Sequence, residues 1–187
     1  MSSPQLASRR VMLRPTRFEN REEIIEVLDG SGLEDVRGAG VFLGSLPEDL
    51  GTLDAAFLVE ERSQGSTVGV CAVFGVDSDE KSAQVSILVE DGSPILGVGV
   101  ETYVFFIGHV FSEWDVNNIH FWSTEELVGM IPVGQAVISE SRGADEERDG
   151  ESANRARAFT IEREVWEIQS HRFRSWIMRG PQKSRAS

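Results

Sequence analysis

Gly97 and Gly99 stand in the run Gly92-Ser93-Pro94-Ile95-Leu96-Gly97-Val98-Gly99-Val100-Glu101, where an apolar strand-like segment gives way to an amphipathic helix. Glycines at such a junction let a ligand approach the main chain closely. The first turn of a helix carries N–H groups without intrahelical partners, together with the positive end of the helix dipole. These are the parts of an anion site suited to a pyrophosphate. The same G-x-G also occurs as plain turn chemistry, and the residues alone leave both readings open. Two other nucleotide loops do not fit. The dinucleotide fingerprint needs a third glycine where Thr102 stands, and there is no G-K-[ST] triplet.

Several side chains near this run could move protons. Glu90 and Asp91 close the preceding strand-like segment and could act as a general base, or could be solvated turn residues. His120 falls in the following strand and could relay protons near neutral pH, or lie as an ordinary histidine at the sheet surface. Ser123 and Thr124 could donate to a leaving group. They could equally cap the next helix, with Glu126 three residues after Ser123. His109 and Glu113 are one helical turn apart without a third ligand, which predicts a solvated pair rather than a metal site. Cys71 is the sole cysteine, so neither an internal disulfide nor a Cys-rich zinc site can form. Its apolar setting, Val68 to Phe74, predicts a buried thiol.

The elements that must hold these residues read as a mixed α/β chain. Val11 to Pro15 is a short strand, followed by a helix over Asn20 to Asp29 that Gly30 and Gly32 stop. Ile24, Ile25 and Leu28 are expected on one buried face of that helix. The Gly-rich stretch from Gly30 to Asp54 is not assignable beyond a short helix around Pro47 to Leu53. Ala55 to Glu60, Thr67 to Asp77 and Ala83 to Glu90 form three strands of an antiparallel meander, broken by Gly65-Ser66 and Asp77-Ser78-Asp79-Glu80. Tyr103, Phe106, Ile107, Val110, Phe111 and Trp114 then mark one face of a long helix. Strands are expected over Asn118 to Thr124 and Gln135 to Glu140, with a short helix over Glu125 to Met130 between them. Phe159 to Phe173 reads as a strand or one half of a hairpin. The helix between Glu90 and Asn118 makes the flanking strands parallel. The chain reads as one domain over 11–179, with a flexible N-terminus over 1–10, a mobile acidic loop over 142–153 and a flexible tail over 180–187.

The formal net charge is −13, with pI near 4.7. A nucleic-acid surface needs clustered Lys and Arg, so that class of partner is disfavoured. An acidic surface suits cationic ligands such as amines, and also serves solubility alone. No apolar run approaches the roughly 20 residues needed to cross a bilayer, and Met1 to Arg10 carries no signal-peptide core. A cytoplasmic location without membrane attachment is therefore expected.

At the glycine loop the chain resembles the GNAT acyltransferase superfamily, in particular the branch that acetylates protein N-termini and related amines. That family places Gln or Arg, two variable residues, Gly, one variable residue, then Gly or Ala between its fourth strand and the next helix. A Glu often follows two residues later. Pro94, Gly97, Gly99 and Glu101 occupy those places. Leu13-Arg14-Pro15 resembles the family's opening strand, Val110-Phe111 its helix end, and Ile119-His120-Phe121 its fifth strand. Trp166 would lie in a closing strand pair.

The resemblance implies a central, mostly antiparallel sheet splayed between its fourth and fifth strands and flanked by helices. It implies acetyl-CoA or another acyl-CoA as co-substrate and no metal. The amides of Leu96, Gly97, Val98, Gly99 and Val100 would hold the pyrophosphate. The backbone around Leu88, Val89 and Glu90 would pair with the pantetheine arm. A small-molecule or peptide amine would attack the thioester directly, with Glu90, Asp91 or His120 as base and Ser123 or Thr124 near the leaving sulfur. The family's Tyr acid has no match, since Tyr103 belongs to the helix core face. A catalytically silent protein of this fold, and transfer from an acyl carrier docked at the basic C-terminus, are the other readings. An exposed C-terminal strand carrying Trp166 and Trp176 would allow a homodimer.

Overall fold

The computed structural model describes residues 6–90, 97–125, 128, 138–140 and 156–179, with side chains up to 172. The first half contains β1 (Leu6–Ala7), β2 (Val11–Thr16), α1 (Arg21–Ser31), α2 (Ala39–Ser45), a 3-10 turn (Leu50–Thr52), β3 (Leu53–Glu61), β4 (Thr67–Asp77) and β5 (Ser82–Val89). The second half contains α3 (Val98–Glu113), β6 (Asn118–Ser123), β7 (Ile138–Glu140), β8 (Arg157–Glu162) and α4 (Arg163–Arg179). The strands form one eight-stranded sheet in the order β1-β2-β3-β4-β5-β6-β8-β7. Only β5 and β6 pair in parallel, as expected for strands joined by a crossover helix.

The meander is built by alternation. Phe57, Val59, Cys71, Val73, Val85 and Val89 face one side and join Phe106, Ile107, Val110 and Phe111 of α3 in the larger core. Ala56, Leu58, Val70, Ala72 and Leu88 face the other side, where α1 and α2 cover them with Ile24, Leu28 and Phe42. The central strand β4 is thus buried on both faces, which is why Val68 to Phe74 reads as an unbroken apolar run. Gly69 is required by close contact. A Cβ there would stand 2.4 Å from the Leu88 carbonyl oxygen.

α1 follows its caps. The Asn20 side chain accepts from the Glu23 amide at 3.0 Å, and Gly32 ends the helix in the left-handed region at φ 69°. Ile24 and Leu28 are buried, but Ile25 is 43% exposed, so the expected three-residue face narrows to two. α2 was not legible in the sequence, because Gly38, Gly40 and Gly44 punctuate it. The helix expected at Pro47 to Leu53 is only the 3-10 turn at Leu50–Thr52.

Two further expectations change. The strand or hairpin expected over Phe159 to Phe173 ends at Glu162, and α4 begins at Arg163. Phe159 and Ile161 alternate into the core, after which Trp166 and Ser170 are buried at helical spacing. Arg163 fixes the switch. Its guanidinium donates to the carbonyls of Val116 at 2.7 Å and Trp114 at 3.0 Å, and lies 5.0 Å over the Phe111 ring. Trp166 is therefore a buried helix residue against Phe111, and the exposed strand proposed for self-association does not exist. At the other end, Leu6 and Ala7, within the stretch expected to be flexible, pair with Leu13 and Met12. The loop over 142–153 and the tail over 180–187 lie outside the described residues.

Replacing Gly69 by Ala should force β5 away from β4 and cost about 1–3 kcal/mol, the range for overpacked interiors. Urea denaturation of the variant would show this as a lowered midpoint at unchanged slope.

Candidate functional site

β5 and β6 share only three paired positions, Ser82 with Asn118, Ala83 with Ile119 and Gln84 with His120. Beyond that point each strand stays with its other neighbour. β4 holds β5 as far as Val89, and β8 holds β6 as far as Ser123. The two strands consequently part, and a wedge opens between Val85 to Val89 and Phe121 to Ser123.

The main-chain groups that line this wedge follow from the pleat. The Glu90 amide donates to the Val68 carbonyl at 2.8 Å, and the Leu88 carbonyl faces Gly69. Residues 88 and 90 therefore turn their peptide groups to β4. Alternation turns those of Ile87 and Val89 into the wedge. Of the stretch Leu88 to Glu90, expected to offer backbone to a ligand, only Val89 turns its peptide groups away from β4. Ile87 takes the place expected of Leu88.

α3 starts at the wide end of the wedge. Gly97 is its N-cap with φ 98°, a left-handed conformation that favours glycine, and it provides no side-chain cap. The first intrahelical bond runs from the Glu101 amide to the Gly97 carbonyl at 2.8 Å. The amides of Val98, Gly99 and Val100 thus lie ahead of the helical ladder. Among the described residues nothing stands within 4 Å of where a Gly99 Cβ would be, so their packing does not demand glycine there. Asp91 and Leu96 lie outside the described residues.

The proposed proton-handling residues do not converge. Ile119 and Phe121 face α3, so His120 and Trp122 face the α2 side of the sheet. Ser123 shares the face of Phe121 and is buried, as is Thr124. His120 and Ser123 are therefore on opposite faces of β6. Glu90 is exposed at the end of β5. It lies six residues from Gln84, the partner of His120, or about 20 Å along the strand. His120 is half-buried, with Nδ1 2.9 Å from the Thr160 hydroxyl oxygen. Loss of solvent lowers its pKa below the ordinary 6.5, and the nearby Glu80 partly offsets this. The Thr124 carbonyl accepts from the Val128 amide at 3.0 Å, while Glu126, the other member of the expected cap, lies outside the described residues.

A hydroxyl pair not anticipated from sequence closes the α2 side of the wedge. Ser45 and Ser86 are both buried and hydrogen-bonded to each other. Ser45 donates its proton to the Phe42 carbonyl at 2.8 Å, so Ser86 must donate to Ser45. A lone serine inside the apolar strand Val85-Ser86-Ile87 was the only trace of this in the sequence.

A separate cleft of about 780 Å³ lies at the opposite end of the sheet, lined in part by Asp49, Asp54, Phe57, His109, Glu113 and Trp114. It is remote from the first turn of α3, which is the end where the wedge opens. His109 is not the solvated residue expected. It is half-buried edge-on to Phe57 and Trp114, at ring distances of 5.5 Å and 6.0 Å. Burial lowers its pKa, against the charge of Glu113. Among the described residues no group of three metal-capable side chains occurs, and no helix is long and apolar enough to cross a membrane.

Solved structures share this fold. A GCN5-related N-acetyltransferase from Brucella melitensis superposes with a TM-score of 0.59 at 15% identity, over 96% of this chain and 90% of its own. The chain has the GNAT fold. A GNAT-family acetyltransferase from Bacillus anthracis matches at TM-score 0.55 and 13% identity, over 86% of this chain and 99% of its own. A spermidine N-acetyltransferase chimera of Vibrio cholerae SpeG and hSSAT matches at TM-score 0.58 and 11% identity, over 85% and 99%. No family model and no curated protein matches the sequence. In GNAT terms, β5 and β6 are the splayed fourth and fifth strands, and α3 is the helix after the glycine loop.

Since the His120 pKa is lower folded than unfolded, the unfolded chain takes up the proton first as pH falls. The stability tied to neutral His120 is complete above its unfolded value and is lost as pH drops from there toward the folded value. His120→Gln should therefore lose less stability than the parent between pH ~7.5 and ~5.5, as read by urea midpoints at the two pH values.

Proposed function

We propose that this protein is an N-acyltransferase that moves an acyl group, acetyl in the simplest case, from coenzyme A to an amine. The observation that carries the reading is the wedge between β5 and β6 opening onto an uncapped, glycine-led helix start. The amides of Gly97, Val98, Gly99 and Val100, with Leu96 before them, hold the pyrophosphate through hydrogen bonds and the helix dipole. The open space at Gly99 lets the phosphates reach those amides. The peptide groups of Val89 and Ile87 pair with the amides of the pantetheine arm as an added strand would.

On this reading the thioester lies in the wedge. The acceptor nitrogen attacks its carbonyl carbon, a C–N bond forms, and the C–S bond breaks as the thiolate leaves. His120 is the described residue best suited to take the ammonium proton, through water, because its lowered pKa keeps it neutral near pH 7. Ser123, buried on the face of β6 that α3 covers, would donate toward the sulfur. Glu90, exposed at the end of β5, would act on the acceptor before it enters. Much of the rate would come from positioning the two reactants.

The acceptor class follows from charge. A chain of net −13 favours cationic amines over phosphorylated or nucleic-acid partners, whether the amine is a small molecule or a peptide N-terminus. The spermidine enzyme of the same fold is in keeping with this. Such work fits a protein of the cytoplasm, where acyl-CoA is made. A second reading is favoured by His120 and Ser123 lying on opposite faces of β6. It is a protein that binds the thioester, or an acylated carrier, without turning it over.

Calorimetric titration with acetyl-CoA and free coenzyme A tests the binding step. The parent should bind both, and Gly99→Glu should lose at least tenfold in affinity while keeping its fold, since its side chain enters open space beside the phosphates. No binding by the parent at millimolar ligand would rule out the acyl-CoA reading. Binding without amide formation across an amine panel would select the silent alternative.

A further inference from the structure

Glu101 is completely buried four residues into α3, and three donors converge on it. Its Oε1 accepts from the Ser8 hydroxyl at 2.5 Å and the Arg10 amide at 2.7 Å, while its Oε2 accepts from the Arg10 guanidinium at 2.8 Å. The Arg10 side chain is itself only 14% exposed. The segment is also held from behind. Arg62 donates its amide to the Arg10 carbonyl at 2.8 Å and its guanidinium to the Ser8 carbonyl at 2.6 Å. The short strand β1 and the turn after it are thus clamped between α3 and the end of β3.

The position of this pair matters electrostatically. At 1.5 Å rise per residue, Glu101 lies about 6 Å along the axis from the N-cap. A bare carboxylate there would cancel much of the roughly half-unit positive charge at the helix start and repel an incoming anion. In a buried setting that repulsion is weakly screened. Arg10 supplies the compensating charge from the N-terminal segment.

Resting on the reading of α3 as the pyrophosphate site, the geometry points to Arg10 and Glu101 as positioning residues for that site. Glu101 anchors the N-terminal segment to the first turns of α3, and Arg10 neutralises Glu101 so that the turn keeps its attraction for the phosphates. The N-terminal segment is then part of the coenzyme site although it touches no ligand.

A charge-balance role and a purely structural brace predict different patterns. Arg10→Met leaves the carboxylate alone and should weaken coenzyme A binding about tenfold, as expected for unit charges several ångströms apart at partly screened sites. Glu101→Gln leaves the guanidinium alone and should bind coenzyme A as tightly as the parent or more so, even with a lowered denaturation midpoint. The Arg10→Met, Glu101→Gln double variant should return to within about threefold of the parent. Acetyl-pantetheine, which lacks the phosphates, should show no change across the series.

Weaker coenzyme A binding in both single variants, with the double no better, would overturn the proposal and leave a brace. So would an equal loss for acetyl-pantetheine. If the single variants do not fold, the double variant decides: parent-like coenzyme A affinity supports the proposal, and a tenfold loss overturns it. Failure of the parent to bind coenzyme A is a separate result, and it removes the acyl-CoA reading itself.

Discussion

The whole arrangement depends on a strand that runs out of partners on one edge. Past Gln84, β5 is bonded to β4 alone, and the peptide groups of Ile87 and Val89 look into the wedge. Unpaired main-chain groups in an interior are costly unless something fills their need. β6 cannot close the gap because β8 holds it along its full length from Asn118 to Ser123. The wedge is therefore a consequence of two stronger ladders pulling on a weak parallel one. α3 crosses directly from the open end of one strand toward the start of the other, so its uncapped first turn faces the same opening.

The rest of the molecule keeps this opening from collapsing. β4 is buried on both faces, and Gly69 lets β5 lie closely against it. On the far side, Arg163 ties the end of β8 to the C-terminal end of α3 and the residues after it. From the α2 side, the Ser45–Ser86 bond pins a short, glycine-rich helix across the gap. The two halves of the sheet meet at three residue pairs, and beyond these the space between them is lined by side chains rather than by a continuous ladder.

Much of this was legible from residue patterns, for definite reasons. Strong periodicities survive any context, so the meander and α3 could be read from Val68 to Phe74 and from Tyr103 to Trp114. The glycine loop announced a helix start by its chemistry. What could not be read depends on contacts between distant residues. α2 hides because its glycines lower helix propensity, and only packing on β5 and β6 holds it helical. α4 was mistaken for a strand because Phe159 and Ile161 alternate just before the period changes, and the anchor that changes it is an arginine bound to Trp114 and Val116. The grip of Ser8 and Arg10 on Glu101 joins residues some ninety positions apart, and no local pattern records it. Residues at the candidate site were named on linear proximity. Proximity cannot tell which face of a strand a side chain takes relative to its neighbours, and this is why His120 and Ser123 separate.

The burial of Cys71 has a practical consequence. The thiol sits in the middle of β4 with no solvent exposure, and burial raises its pKa well above the ordinary value. The native protein therefore presents no reactive sulfhydryl to an alkylating or disulfide reagent. A colour reaction that counts free thiols would stay silent toward the folded chain and report only small-molecule thiol set free in the mixture. The same silence makes Cys71 a clock for global opening, since its modification waits on the central strand coming apart.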